Sequence, residues 1–111
     1  MQAVKPVQRG EIWLAALDPT LGSEIQKTRP CVVVSPPEMN EHLRTLVVAP
    51  MTTGSRPAPF RIAITFQRKN GLILLDQLST LDRQRLVKRL GAVNPKTLAS
   101  VLDGLQAMFV P

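Results

Sequence analysis

Apolar residues in this chain come in short blocks, and the spacing inside each block decides what it can form. Segments 10–17 ("GEIWLAAL"), 29–35 ("RPCVVVS") and 44–53 ("RTLVVAPMTT") are dense in apolar and β-branched residues and predict strands. In the third, "LVVA" is expected to be buried on both faces, and Pro50 to mark a sheet edge or bend. Segment 60–66 alternates Phe60, Ile62, Ile64 and Phe66 against Arg61, Ala63 and Thr65, which predicts a half-buried strand. Segments 72–81 ("LILLDQLSTL") and 88–93 ("KRLGAV") are expected to continue the sheet. The last segment changes period. Apolar positions at 98, 101, 102, 105, 108 and 109 follow Asn94 as cap and Pro95 at the first helical position, predicting a helix with one apolar face.

Polar punctuation between these blocks sets the connections. Asp18-Pro19 and Gly22 give a long polar loop over 18–28, and a loop of that length in a small domain is more often functional than not. Ser35-Pro36 is expected to cap and open a short helix over 36–43. "GSRPAP" (54–59) reads as a loop and "QRKNG" (67–71) as a basic turn, with Asn70-Gly71 the strongest hairpin signal in the chain. Asp82 is placed to cap one helical turn over "DRQRLV". With 111 residues and no internal repeat, the chain is expected to be a single domain, 1–111. The fold class is small β-rich α+β: a strongly bent antiparallel sheet or barrel with short helices and a C-terminal helix.

Charge narrows the partner. Fourteen Lys and Arg against 8 Asp and Glu give +6, a balance that suits a polyanion such as nucleic acid, or merely a soluble surface. Cys31 is the single cysteine and lies inside an apolar run, so it is expected to be a buried thiol in a reducing cytoplasm. The segment 1–10 has no signal-peptide core, and no apolar run reaches membrane-spanning length. A cytoplasmic protein without membrane contact is the expectation.

The chemistry is limited by what is missing. One histidine, His42, sits among polar residues, so a two-histidine ribonuclease is excluded by count and His42 reads as an exposed bystander. No acidic pair shows metal-site spacing, and no phosphate-cradling Gly-rich loop occurs. No cofactor is expected. Arginine and threonine remain. Arg29, just before a buried strand, is a poor general base but a good clamp for phosphate oxygens, above all as charge builds in a transition state. RNA brings its own nucleophile, the 2′-OH, so such an inventory suffices for its cleavage. From the residues alone Arg29 stays open between that role and a solvated strand-edge charge. Thr52 and Thr53 end the third strand, where small barrels keep their sites.

Several ordered motifs then carry a resemblance. The stretch 9–36 holds R-G-E-I-W, then D-P-x-x-G-S-E, then Arg29-Pro30 followed by aliphatic residues and Ser-Pro. "VVAPMTTG" holds P-x-T-T, and "GLILLDQLSTLD" holds Asp76-Gln77. From Arg9 to the final helix these resemble the MazF/PemK toxins. The resemblance implies an SH3-like antiparallel barrel of the MazF/Kid/CcdB type, acting as a homodimer. It implies the toxin of a type II toxin–antitoxin system: a sequence-specific, metal-independent endoribonuclease that cuts single-stranded RNA, mainly mRNA. Attack by the 2′-OH would leave a 2′,3′-cyclic phosphate and a 5′-OH. A small MazE-like antitoxin with an acidic C-terminal segment would inhibit it. The MazF branch assigns Arg29 and Thr52 as the catalytic pair. Arg29 would stabilise the phosphorane, and also exchange a proton if its site lowers its pKa. Thr52 would hydrogen-bond the scissile phosphate. The PemK branch's histidine and arginine positions hold Ser23 and Leu74 here. Ser23, Glu24, Thr53, Asp76 and Gln77 are implied contacts to RNA. A gyrase poison of the same fold is the alternative, but its Trp-Gly-x-Ile ending is replaced here by "GLQAMFVP". An inactive RNA-binding barrel is a third.

Overall fold

The computed structural model of the protein describes residues 6–17 and 28–111. The expected loop over 18–28, with Ser23 and Glu24, falls outside them except for Thr28. The elements run β1 (Glu11–Ala16), β2 (Thr28–Val33), α1 (Pro37–His42), β3 (Thr45–Thr52), β4 (Arg61–Phe66), β5 (Lys69–Leu74), β6 (Ser79–Asp82), β7 (Leu86–Ala92) and α2 (Pro95–Met108). The strands form one curled antiparallel half-barrel in the order β4-β5-β3-β2-β1-β7, with β6 also on β3. This is the bent, β-rich architecture expected from the sequence.

Strand periodicity explains why the sheet is apolar on both faces. In β1, β2 and β3, side chains alternate between two clusters. Trp13, Ala15, Cys31, Val33, Leu46 and Val48 fill one, closed by Val7, Leu81 and Leu86. Ile12, Val32, Ala49 and Met51 fill the other, where Ile73, Leu75 and Val101 of α2 complete the cover. In the β3 run "LVVA", Leu46, Val48 and Ala49 are buried as expected, whereas Val47 is only half-buried. Pro50 lies where β3 changes partner: Thr45 to Val48 pair with β6, whereas Met51 and Thr52 pair with β5. The expected bend is there.

Asn94 caps α2, its side chain accepting from Thr97 N–H at 2.7 Å. Asp82 likewise caps a 3₁₀ turn over residues 83–85, accepting from Gln84 N–H at 2.8 Å. Cys31 is fully buried and its thiol is pushed up to about 12 by desolvation, against the lowering field of Arg29. His42 is exposed.

Four expectations are corrected. Pro36, not Ser35, caps α1, with Pro37 in its first turn. Ser35 is instead buried with Asn40, donating to Asn40 Oδ1 at 2.6 Å and accepting from Val47 N–H at 3.0 Å. The hairpin turn is not at Asn70-Gly71. The pairing Phe66↔Lys69 puts it at Gln67-Arg68, both left-handed (φ 52° and 64°). Gly71 is needed inside β5, because a Cβ there would stand 2.7 Å from the Thr52 carbonyl oxygen of β3. The run 72–81 is not one strand either, since Leu75–Gln77 form a 3₁₀ turn between β5 and β6. Phe109 leaves the apolar face of α2 and is 71% exposed.

Candidate functional site

The site begins with two prolines. Pro30 of β2 and Pro50 of β3 lack the N–H that a ladder needs. The β2–β3 pairing runs Val33↔Val48, Val32↔Ala49 and Cys31↔Pro50, and stops there. Carried on, the same register would set Arg29 opposite Thr52. Both side chains therefore belong to one end of the sheet, on the same face as Cys31 and Pro50. Just beyond the last paired residues a cleft of about 300 Å³ opens, lined by Pro30, Met51, Thr52, Thr53, Ile64, Phe66, Gln67, Lys69 and Gly71.

Arg29 is exposed, and among the described residues its guanidinium has no hydrogen-bond or ion-pair partner. Thr52 is half-buried, and its Oγ1 accepts from Gly54 N–H at 3.2 Å. That bond uses a lone pair, so the hydroxyl proton is left to donate outward. The absent side chain of Gly71 lets β5 close on the Thr52 carbonyl and fixes the end of β3. A cation and a hydroxyl at neighbouring strand ends can together hold a phosphate group. Thr53 is exposed at the cleft.

Asp76 and Gln77 are exposed in the 3₁₀ turn after β5 and do not line the cleft. Asp76 accepts two bonds from Arg61 of β4, Nε to Oδ1 at 3.2 Å and Nη2 to Oδ2 at 3.0 Å. Arg61 also donates through Nη1 to the Arg56 carbonyl at 3.1 Å, tying the 54–60 connection to this turn. The bonds from Arg61 hold the Asp76 carboxyl below its ordinary range. Arg61 is the cross-strand neighbour of Leu74. In the sequence Arg61 stands only as a polar position of an alternating strand; its pairing with Asp76 follows from β4 and β5 being antiparallel.

The R-G-E-I-W motif sits elsewhere and is structural. Arg9 Nε donates to Val34 O at 3.0 Å, and Gly10 takes φ 91°. Glu11 accepts from Gln8 N–H (2.8 Å), Trp13 Nε1 (3.1 Å) and Arg89 Nε of β7 (2.7 Å). Burial pushes its carboxyl up, but these bonds outweigh that and leave it below the ordinary value.

Residues 8–109 match the family described as PemK-like, MazF-like toxin of type II toxin–antitoxin system. The chain is 39% identical to the endoribonuclease PemK of Escherichia coli over 109 residues, covering 93% of this chain and 82% of the relative. It is 30% identical to the endoribonuclease MazF of Staphylococcus epidermidis over 105 residues, covering 89% of this chain and 88% of the relative. Overall identity thus favours the PemK relative of these two, although Ser23 and Leu74 aligned the site expectation with the MazF branch. A mycobacterial endoribonuclease solved in complex with its cognate antitoxin superposes with a TM-score of 0.77 at 26% identity, covering 96% of this chain and 98% of that one.

Proposed function

The chain belongs to the PemK-like, MazF-like toxin family of type II toxin–antitoxin systems, and we propose that it is itself a metal-independent endoribonuclease acting on single-stranded RNA. The observation that carries this is the end of the β2–β3 ladder, where an arginine with no partner among the described residues and a threonine with a donor to spare stand at one end of the sheet beside a cleft. The 2′-OH attacks phosphorus, the O2′–P bond forms and the P–O5′ bond breaks. The attacking hydroxyl loses a proton and the 5′ oxygen gains one, leaving a 2′,3′-cyclic phosphate and a 5′-OH. Arg29 holds the charge that builds on the phosphorane oxygens, an interaction stronger in the transition state than in the ground state. Thr52 donates to a non-bridging oxygen, and Thr53 contacts the strand at the cleft. Ser23, Glu24, Asp76 and Gln77 are the further RNA contacts that the family resemblance implies.

The biological partner in this reading is a small antitoxin with an acidic segment that covers the basic groove of a homodimer in the cytoplasm. The +6 charge supports both RNA and an acidic inhibitor as ligands. The test is incubation of the purified protein with a mixed-sequence RNA in EDTA, with chemical mapping of the ends. Cleavage with cyclic phosphate and 5′-OH termini is expected. An intact RNA, alongside inhibited gyrase supercoiling, would overturn the reading in favour of a gyrase poison.

A further inference from the structure

The cleft beside Thr52 has a chemical character that phosphate binding does not use. Met51 is buried and Pro30, Ile64 and Phe66 are half-buried, giving it an apolar floor. Thr53, Gln67 and Lys69 are exposed at its rim. A phosphate gains nothing from such a floor. A purely apolar side chain gains nothing from the amide and the ammonium around it. A nucleobase fits both, having a π face for an aromatic or aliphatic surface and a polar edge for hydrogen bonds.

We propose that this cleft holds one unstacked nucleobase of the RNA, next to the scissile phosphate, and that it sets base preference there. The proposal rests on the ribonuclease reading and names a specificity site within it. Location supports it, because Thr52, the proposed donor to the scissile phosphate, also lines the cleft. Charge supports it, because Lys69 and the adjacent Arg68 favour a strand that carries phosphates. Rigidity supports it too. Gln67 sits in a two-residue hairpin turn with φ 52°, followed by Arg68 at 64°, which sets where its side chain leaves the backbone at the rim of the cleft. Phe66 is backed by β7, its ring lying 3.5 Å from where a Cβ on Gly91 would stand. The Gln67 amide carries both a donor and an acceptor, and so can tell base edges apart.

Binding of single-stranded RNA oligonucleotides with one abasic position, scanned along the strand and blocked at the cut by a 2′-deoxy sugar, tests this. Loss of the base at one position should weaken wild-type binding roughly tenfold or more, the usual scale for base–aromatic stacking. Phe66→Leu should weaken it comparably, and the two losses should not add. Gln67→Asn, a residue that tolerates positive φ, should change the preferred base at that same position, and it carries the test if Phe66→Leu folds poorly. Cleavage that persists with no position coupled to Phe66 or Gln67 would overturn the pocket while leaving the ribonuclease intact. Altered self-association of Phe66→Leu without coupling would mean that a second copy covers the cleft, and would also overturn it. If the protein does not cut RNA, the same scan on unmodified strands decides: coupling keeps the pocket while the ribonuclease reading falls.

Discussion

Two polar clusters in this protein hold an arginine beside an oxygen group, and they differ in how completely they are satisfied. At Glu11, three donors converge on one half-buried carboxylate: a backbone N–H, the Trp13 indole and the Arg89 guanidinium. At the end of β2 and β3, Arg29 has no partner among the described residues, and Thr52 has used an acceptor but not its donor. The first cluster joins β1 to β7 and spends most of its acceptor capacity inside the protein. The second stands where two prolines end a ladder, with its hydrogen-bonding capacity turned outward. Motif strength in the sequence does not distinguish them, since both lie in equally recognisable stretches. Satisfaction of the polar groups does.

The sharpest way to break this contrast is Arg29→Ala. Removal of a transition-state charge donor should lower kcat/KM for RNA cleavage on the order of 10²–10³-fold, as loss of an oxyanion donor does elsewhere. The thermal midpoint should stay close to wild type, because the side chain is exposed and has no partner among the described residues. Single-turnover cleavage and a melting curve on the same preparation check both. An enzyme that cuts normally without Arg29 would remove the site assignment and leave the family untouched.

Glu11→Ala should do the opposite. It removes the acceptor of the part-buried Trp13 indole N–H and of the exposed Gln8 amide and frees Arg89, which should cost about 2 kcal/mol, the usual scale for lost hydrogen bonds to a charged group. Urea unfolding measures the loss. The activity per folded molecule should hold to within about threefold, a change worth under 1 kcal/mol. A stable Glu11→Ala protein with lost cleavage would show that the satisfied hub, too, serves the chemistry.

The same contrast explains what could be read from sequence. The strands were legible because a period of two and runs such as "CVVV" leave little else for β2 and β3 to be. The helix caps at Asn94 and Asp82 were legible because capping is local. The place of the β4–β5 turn was legible within 67–71, but not which two residues make it. Asn70-Gly71 is the better local turn, but packing claims Gly71 for the close approach of β5 to the Thr52 carbonyl, and the register moves the turn to Gln67-Arg68. Arg29 and Thr52 were found through family motifs. Phe66, Gln67 and Lys69 were not, because their place at the cleft follows from the β4–β5 hairpin folding beside the ends of two other strands. No spacing in the sequence encodes that.

Asp76 gives the smallest effect and the finest test, because the family motif groups it with the site whereas its hydrogen bonds group it with the satisfied cluster. Bonds from Arg61 lower its folded-state pKa. The sign follows: the pair's contribution is present above the unfolded carboxylate value, near 4, and is lost as pH falls through the lower folded value. Both groups are solvent-accessible, so the contribution is screened and small. Asp76→Asn should therefore be slightly less stable than wild type in urea at pH 7. The gap should narrow in high salt and close as the pH drops below the ordinary carboxylate range. A gap that stays constant down to low pH would mean that Arg61 is held by shape and by the Arg56 carbonyl rather than by charge. A fall in cleavage approaching that of Arg29→Ala, with no such pH-dependent gap, would move Asp76 across to the open cluster and place a carboxylate beside the RNA.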